Sequence, residues 1–154
     1  TSMVFMILIG ATLFSLVFRG FEGESLIHSL LIDLPSEKNV SLIIVLILMF
    51  FLGFILDFIE IIFIVIPLFG PTLFSLGFDP IWIGILIAMV LQTSFLTPPF
   101  GFSLFYLRGV APKNISTSDI YKGVYPFIGL QILVIIFIFL FPNITTFLPE
   151  ILFG

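Results

Sequence analysis

The stretch LQTSFLTPPFG, residues 91–101, brings Gln92, Thr93, Ser94 and Thr97 together with Pro98, Pro99 and Gly101. It lies between two strongly apolar runs, IWIGILIAMV before it and FSLFYL after it. Two adjacent prolines remove two backbone donors and disfavour helical geometry at Thr97, so a helix entering here breaks over 97–101 and resumes toward Arg108. Such a break offers carbonyls from the first half and amides from the second. Carbonyl oxygens with the Thr93, Ser94 and Thr97 hydroxyls suit a hard, weakly bound cation such as Na+, whereas freed amides at a half-helix N-terminus favour an anionic group. The plainer alternative is a pair of prolines that only kinks a membrane helix.

A second group stands upstream in GFILDFIE, where Gly53 precedes Asp57 and Glu60. These carboxylates could ligate a cation or relay protons, and they could equally cap helix ends. The remaining candidates read as structural. His28 has no His or Cys near it and reads as a surface histidine. Gln131, alone in the last apolar run, reads as a bond to a neighbouring helix. Gln92, one turn from the break, stays open between the two. Trp82 and Tyr106 fall near the ends of one span, as interfacial aromatic residues do. With no cysteine, disulfides and thiolate chemistry are excluded. No HExxH, GxSxG or P-loop spacing occurs, so the metalloprotease, serine hydrolase and ATPase readings lack their parts, and no enzyme is expected.

These groups need a membrane around them. Of 154 residues, 60% are hydrophobic and 9% charged, and the mean hydropathy is +1.37. A soluble domain carries about 25% charged residues. A chain this poor in charge is an all-α integral membrane protein, and a net charge of −4 offers no basic surface to nucleic acid. Spans are expected at about 3–18, 81–107 and 124–141, with a charged interfacial segment at 19–39, in which SLIHSLLIDL has helical spacing. Ser118 is expected to cap a short helix from Asp119, and NITTFLPEILFG reads as an amphipathic tail. The opening TSMVFMILIG looks like the interior of a helix and not like a signal peptide, so part of a longer polypeptide is expected.

The run from Val40 to Pro71 is too long for one crossing, about 48 Å at helical rise. A continuous helix would also put Asp57 near the bilayer centre at about 2.5–3.5 kcal/mol. A re-entrant hairpin over about 40–71, turning near GFILDFIE, avoids both problems. Charge agrees with it. Loop 108–122 carries Arg108, Lys113 and Lys122 against Asp119 and reads as cytoplasmic, while 19–39 has two cations against four acids and reads as external. Parity then makes 40–71 enter and leave on one face.

The strings LQTSFLTPPFGFSLFYLRGVAP, LGFILDFIEIIFIVIPLFGP and SDIYKGVYPFIGLQ together resemble the DctM-like large membrane subunit of TRAP transporters, over about Phe5 to Pro149. The motif form is similar to the branch labelled mannitol/chloroaromatic or organic-acid TRAP. The resemblance implies the C-terminal half of a subunit built from inverted repeats, each with a re-entrant hairpin and a broken helix. It implies Na+-coupled elevator import of an organic anion across a bacterial or archaeal inner membrane. It also implies a small DctQ-like membrane subunit, a periplasmic DctP-like binding protein and the N-terminal half as partners. By position, Gly53 and Asp57 shape the hairpin tip, and Thr97, Pro98, Pro99 and Gly101 the broken helix. One Na+ site is expected between them, with Na+ as coupling ion and no other cofactor. A passive channel and a non-transporting scaffold subunit are the two rival functions.

Overall fold

The computed structural model describes residues 2–32, 38–56, 58–98, 101–112 and 114–153. Every regular element among them is helical: α1 (Ser2–Gly20), α2 (Gly23–Ile32), α3 (Lys38–Leu52), α4 (Phe58–Glu60), a π-helical segment (Ile61–Val65), α5 (Ile66–Ser75), α6 (Pro80–Leu96), α7 (Phe102–Val110), α8 (Thr117–Leu140) and α9 (Asn143–Phe153). This is the all-α membrane class that the composition requires. Among the described residues, three stretches are long and apolar enough to cross a bilayer, namely Ser2–Gly20, Phe58–Ser75 and Thr117–Leu140. Lys38–Leu52 and Pro80–Leu96 are shorter apolar helices.

The chain forms two compact units, one of residues 1–52 and 56–79, the other of 53–55 and 80–154. In the first unit α1 packs on the π segment and α2, α2 on α5, and α3 on the π segment. Leu42, Val45, Met49, Ile61 and Leu73 form its interior. The π turn has a local cause. The Ile66 amide bonds the Ile61 carbonyl, five residues back, immediately before Pro67. A proline has no amide and its ring crowds the carbonyl four residues earlier, so widening the preceding turn relieves the clash. The helix then continues through Pro67 and Pro71 to Ser75.

The segment from α3 to Phe78 folds back on itself. Laid out as one helix, residues 38 to 78 would span about 60 Å. Instead the Lys38 Nζ lies 5.3 Å from the centre of the Phe78 ring. The chain reverses over 53–56, between Leu52 and Phe58, at the GFILDFIE turn.

In the second unit α6 packs along α8 and also touches α7 and α9. Leu104 of α7 joins Ile120, Val124 and Ile128 of α8 in one buried cluster, against which Leu96 packs. The expected cap at Ser118 is corrected. Ser116 is the N-cap, in a reciprocal box with Asp119, whose amide bonds the Ser116 hydroxyl at 3.2 Å and whose carboxylate accepts from the Ser116 amide at 3.0 Å. A capping box saturates two amides at once, which a cap at Ser118 could not do with Asp119 as its neighbour. Consequently no separate short helix precedes the last span, and a single helix runs from Thr117 through Pro126 to Leu140.

Candidate functional site: the broken helix

The helix entering the motif ends at Leu96, and the next begins at Phe102, so the break falls where Pro98 and Pro99 require it. Each proline strips an amide from the carbonyl four residues back: Pro98 from Ser94, Pro99 from Phe95. Substitutes fill both places. The Thr97 amide closes a tighter turn onto the Ser94 carbonyl at 3.1 Å. The Ser103 hydroxyl, from the far side of the break, donates to the Phe95 carbonyl at 3.0 Å. The Thr93 carbonyl accepts from the Thr97 hydroxyl at 2.6 Å. The carbonyls of Thr93, Ser94 and Phe95 are therefore already bonded, and the sequence-based picture of a row of open carbonyls does not apply to these three.

Hydroxyl oxygens are a different matter. Thr93 Oγ1 donates to Met89 O at 2.7 Å, Ser94 Oγ to Leu91 O at 2.8 Å and Thr97 Oγ1 to Thr93 O. Each hydroxyl has one hydrogen and two lone pairs, so all three have committed their hydrogens and keep only acceptor capacity. Thr93 and Ser94 are each 1% exposed. A buried group of oxygens with no hydrogen left to give is chemically suited to a cation or to a donor, and not to an anion.

Gly101 makes the fold of the break possible. A Cβ there would sit 3.0 Å from Leu96 C, Phe95 O and Thr97 O, all backbone atoms that cannot swing aside. The glycine also accepts the first bond of the second half, from the Leu104 amide at 2.9 Å. Rings of Phe95 and Phe102 stack across the break with centroids 5.9 Å apart.

The other sequence-predicted residues distribute as follows. Gly53 is buried in the hairpin turn, and Glu60 closes α4 partly buried. Asp57 and Pro99 lie outside the described residues. His28 and Gln92 are exposed, and Tyr106 is 73% exposed. Trp82 departs from the interfacial expectation. It is 5% exposed and donates its indole N–H to Ile138 O of α8 at 2.9 Å, because packing against α8 covers it. For Gln131, the buried Oε1 has no hydrogen-bond partner among the described residues. Sequence reasoning missed Ser103, although its signal was present: a hydroxyl just beyond a double proline can reach back to a carbonyl the prolines leave bare.

A cavity of about 330 Å3 lies in the first unit, walled by Thr12, Ser15 and Arg19 of α1 with Phe63 and Pro67, and none of the sequence-predicted site residues lines it. Among the described residues no three of His, Asp and Glu come together, so they build no carboxylate cage for a divalent metal.

Comparison with known proteins fits this architecture. The family model described as "Tripartite ATP-independent periplasmic transporter, DctM component" matches residues 1–144. The chain is similar to the sialic acid TRAP transporter permease protein SiaT of Haemophilus influenzae, with 27% identity over 99% of this chain and 24% of that protein. It is similar to the isethionate TRAP transporter permease protein DctMQ of Oleidesulfovibrio alaskensis, with 29% identity over 98% of this chain and 22% of that protein. It is also similar to the C4-dicarboxylate TRAP transporter large permease protein DctM of Vibrio cholerae, with 36% identity over 59% of this chain and 20% of that protein. The chain thus spans roughly a fifth to a quarter of the length of these relatives, all named as transporter permeases and none as an enzyme. No solved structure matches it.

Proposed function

Given that this chain belongs to the DctM component family of tripartite ATP-independent periplasmic transporters, we propose that it is the C-terminal portion of a permease subunit that imports an organic anion with Na+. One observation carries the reading. At the double-proline break, the Thr93, Ser94 and Thr97 hydroxyls have spent their hydrogens on backbone carbonyls and keep lone pairs, Thr93 and Ser94 in a buried place and Thr97 half-buried. That is the chemistry of a weak hard-cation site in a broken membrane helix.

The hairpin supports the same reading. With Lys38 beside Phe78, the segment enters and leaves at one end, as a re-entrant element does, and its tip residues 53–55 belong to the same compact unit as the break. Pairing Gly53 and Asp57 with the break at one Na+ site is part of the proposal, as is elevator-type alternating access. So are a small DctQ-like membrane subunit, a periplasmic DctP-like binding protein and the N-terminal half of the subunit as partners, and the inner membrane as the location. For the substrate, the relatives named for sialic acid, isethionate and C4-dicarboxylate favour the organic-acid side of the branch assignment over the mannitol side.

The test is uptake by the complete permease, reconstituted with its small subunit in vesicles and supplied with a binding protein loaded with organic acid. Uptake that needs both an inward Na+ gradient and the binding protein is the expected result. Flux that needs neither identifies a passive channel, and no flux in any arrangement favours a scaffold subunit.

A further inference from the structure

Gln131 is the buried polar group that the break does not account for. Its amide oxygen is buried and unpartnered among the described residues. Leaving such an atom unpaired in a protein interior is unfavourable, and no water in the hydrocarbon region is there to relieve it. The partner of this mid-span oxygen is not among the described residues.

Its position follows from the register of α6 against α8. The Trp82 indole bonds Ile138 O, which ties the start of α6 to the end of α8, and Leu96 at the other end of α6 packs on the Ile120–Ile128 cluster. The two helices therefore run antiparallel. Gln131 lies seven residues before Ile138, about 10 Å along α8, which brings its backbone level with Met89. Thr93 is one turn further along α6. It also shares the Trp82 stripe, because eleven residues make just over three whole turns. Side chains on a helix lean toward its N-terminus, and for α8 that direction is toward Thr93.

The chemistry of the two groups matches. The Thr93 hydroxyl has given its hydrogen to Met89 O and retains lone pairs, and the Gln131 oxygen is an acceptor without a donor. With the amide oxygen turned toward Thr93, this part of the α6–α8 seam offers two acceptors, and Thr93 has no hydrogen left to give. A hard monovalent cation satisfies both, since hard cations take neutral carbonyl and hydroxyl oxygens as ligands. An anion or a carboxylate substrate group satisfies neither.

We infer that Gln131 contributes its amide oxygen to the coupling-cation site at the broken helix, opposite Thr93. This rests on the Na+-coupled transport reading. The experiment uses the complete permease carrying Gln131→Leu or Gln131→Glu. It measures the Na+ concentration giving half-maximal uptake and, separately, the Na+-induced rise in Tm of the purified protein without substrate. Gln131→Leu removes the oxygen at similar volume and is expected to raise both Na+ half-saturation values about tenfold or more. At saturating Na+ its substrate half-saturation stays as in the parent. Gln131→Glu keeps an oxygen and is expected to hold Na+ at least as well as the parent. Parent-like Na+ dependence of both readouts in Gln131→Leu overturns the inference and leaves Na+ coupling intact. If the parent itself shows no Na+ dependence in either readout, the transport reading fails first. Should Gln131→Leu not reach the membrane, Gln131→Asn draws the oxygen back by one methylene, and the same outcomes decide.

Discussion

Trp82 Nε1 stands 2.9 Å from Ile138 O, and residue 142, whose amide would have bonded that carbonyl in a continuing helix, is a proline. The pairing recurs. Ser103 serves Phe95 O, four residues before Pro99, and Ser41 donates at 2.7 Å to Leu31 O, four residues before Pro35. In each case a side chain from another helix replaces the donor that proline lacks. In lipid a bare carbonyl costs several kcal/mol, so these side chains are what make the proline breaks tolerable.

Trp82→Phe keeps the ring and removes the donor. It is expected to destabilise the purified protein by about 1–3 kcal/mol, the cost of one unsatisfied buried acceptor. A thermal or denaturant melt in detergent reads this, and an unchanged melt would mean that the Ile138 carbonyl finds another donor.

Ser103→Ala should loosen the break in the same way, by about 1–3 kcal/mol, with Ser103→Thr restoring most of the loss because it returns a hydroxyl. Failure of Ser103→Thr to rescue would point to the size of the side chain and not to the bond with Phe95 O.

Thr97→Val and Gly101→Leu probe the site directly. Thr97→Val removes an oxygen from the group, and Gly101→Leu drives a side chain into backbone that a Cβ alone would approach to 3.0 Å. Both are expected to weaken Na+-dependent uptake while the protein still reaches the membrane. Unchanged Na+ dependence in both would remove the break from the cation site.

The absence of cysteine makes topology measurable. Single cysteines at Ser36, Ser75 and Ser116 in an otherwise cysteine-free permease, labelled on intact cells with an impermeant thiol reagent, should react at 36 and 75 and stay protected at 116. Opposite sidedness of 36 and 75 would make the intervening segment a single tilted span, and the hairpin would then have no place in the site.

Glu22 adopts a left-handed conformation, φ 56°, in the turn between α1 and α2. Glycine meets no Cβ penalty there, so Glu22→Gly should raise the melting midpoint by an amount equivalent to about 1 kcal/mol. A lower midpoint would show that the glutamate side chain contributes more than its backbone strain costs.

Much of this architecture is local and therefore legible in residue order. Low charge and long apolar runs require membrane helices, because a chain with 9% charged residues cannot clothe itself for water. The break is equally local, since Pro98 and Pro99 cannot give amides whatever surrounds them. The length of the 40–71 run, with Asp57 inside it, already argues for a reversal near Gly53. What residue order could not fix is which distant group answers each orphaned one. The Ser116–Asp119 cap is itself local, two residues three apart. That Trp82 turns inward to Ile138 and not outward to the interface, and that the Gln131 oxygen has no partner among the described residues, both depend on how helices are set against each other. Each is a hydrogen bond made or missed by an ångström or two, and only the packing of whole helices sets distances that fine.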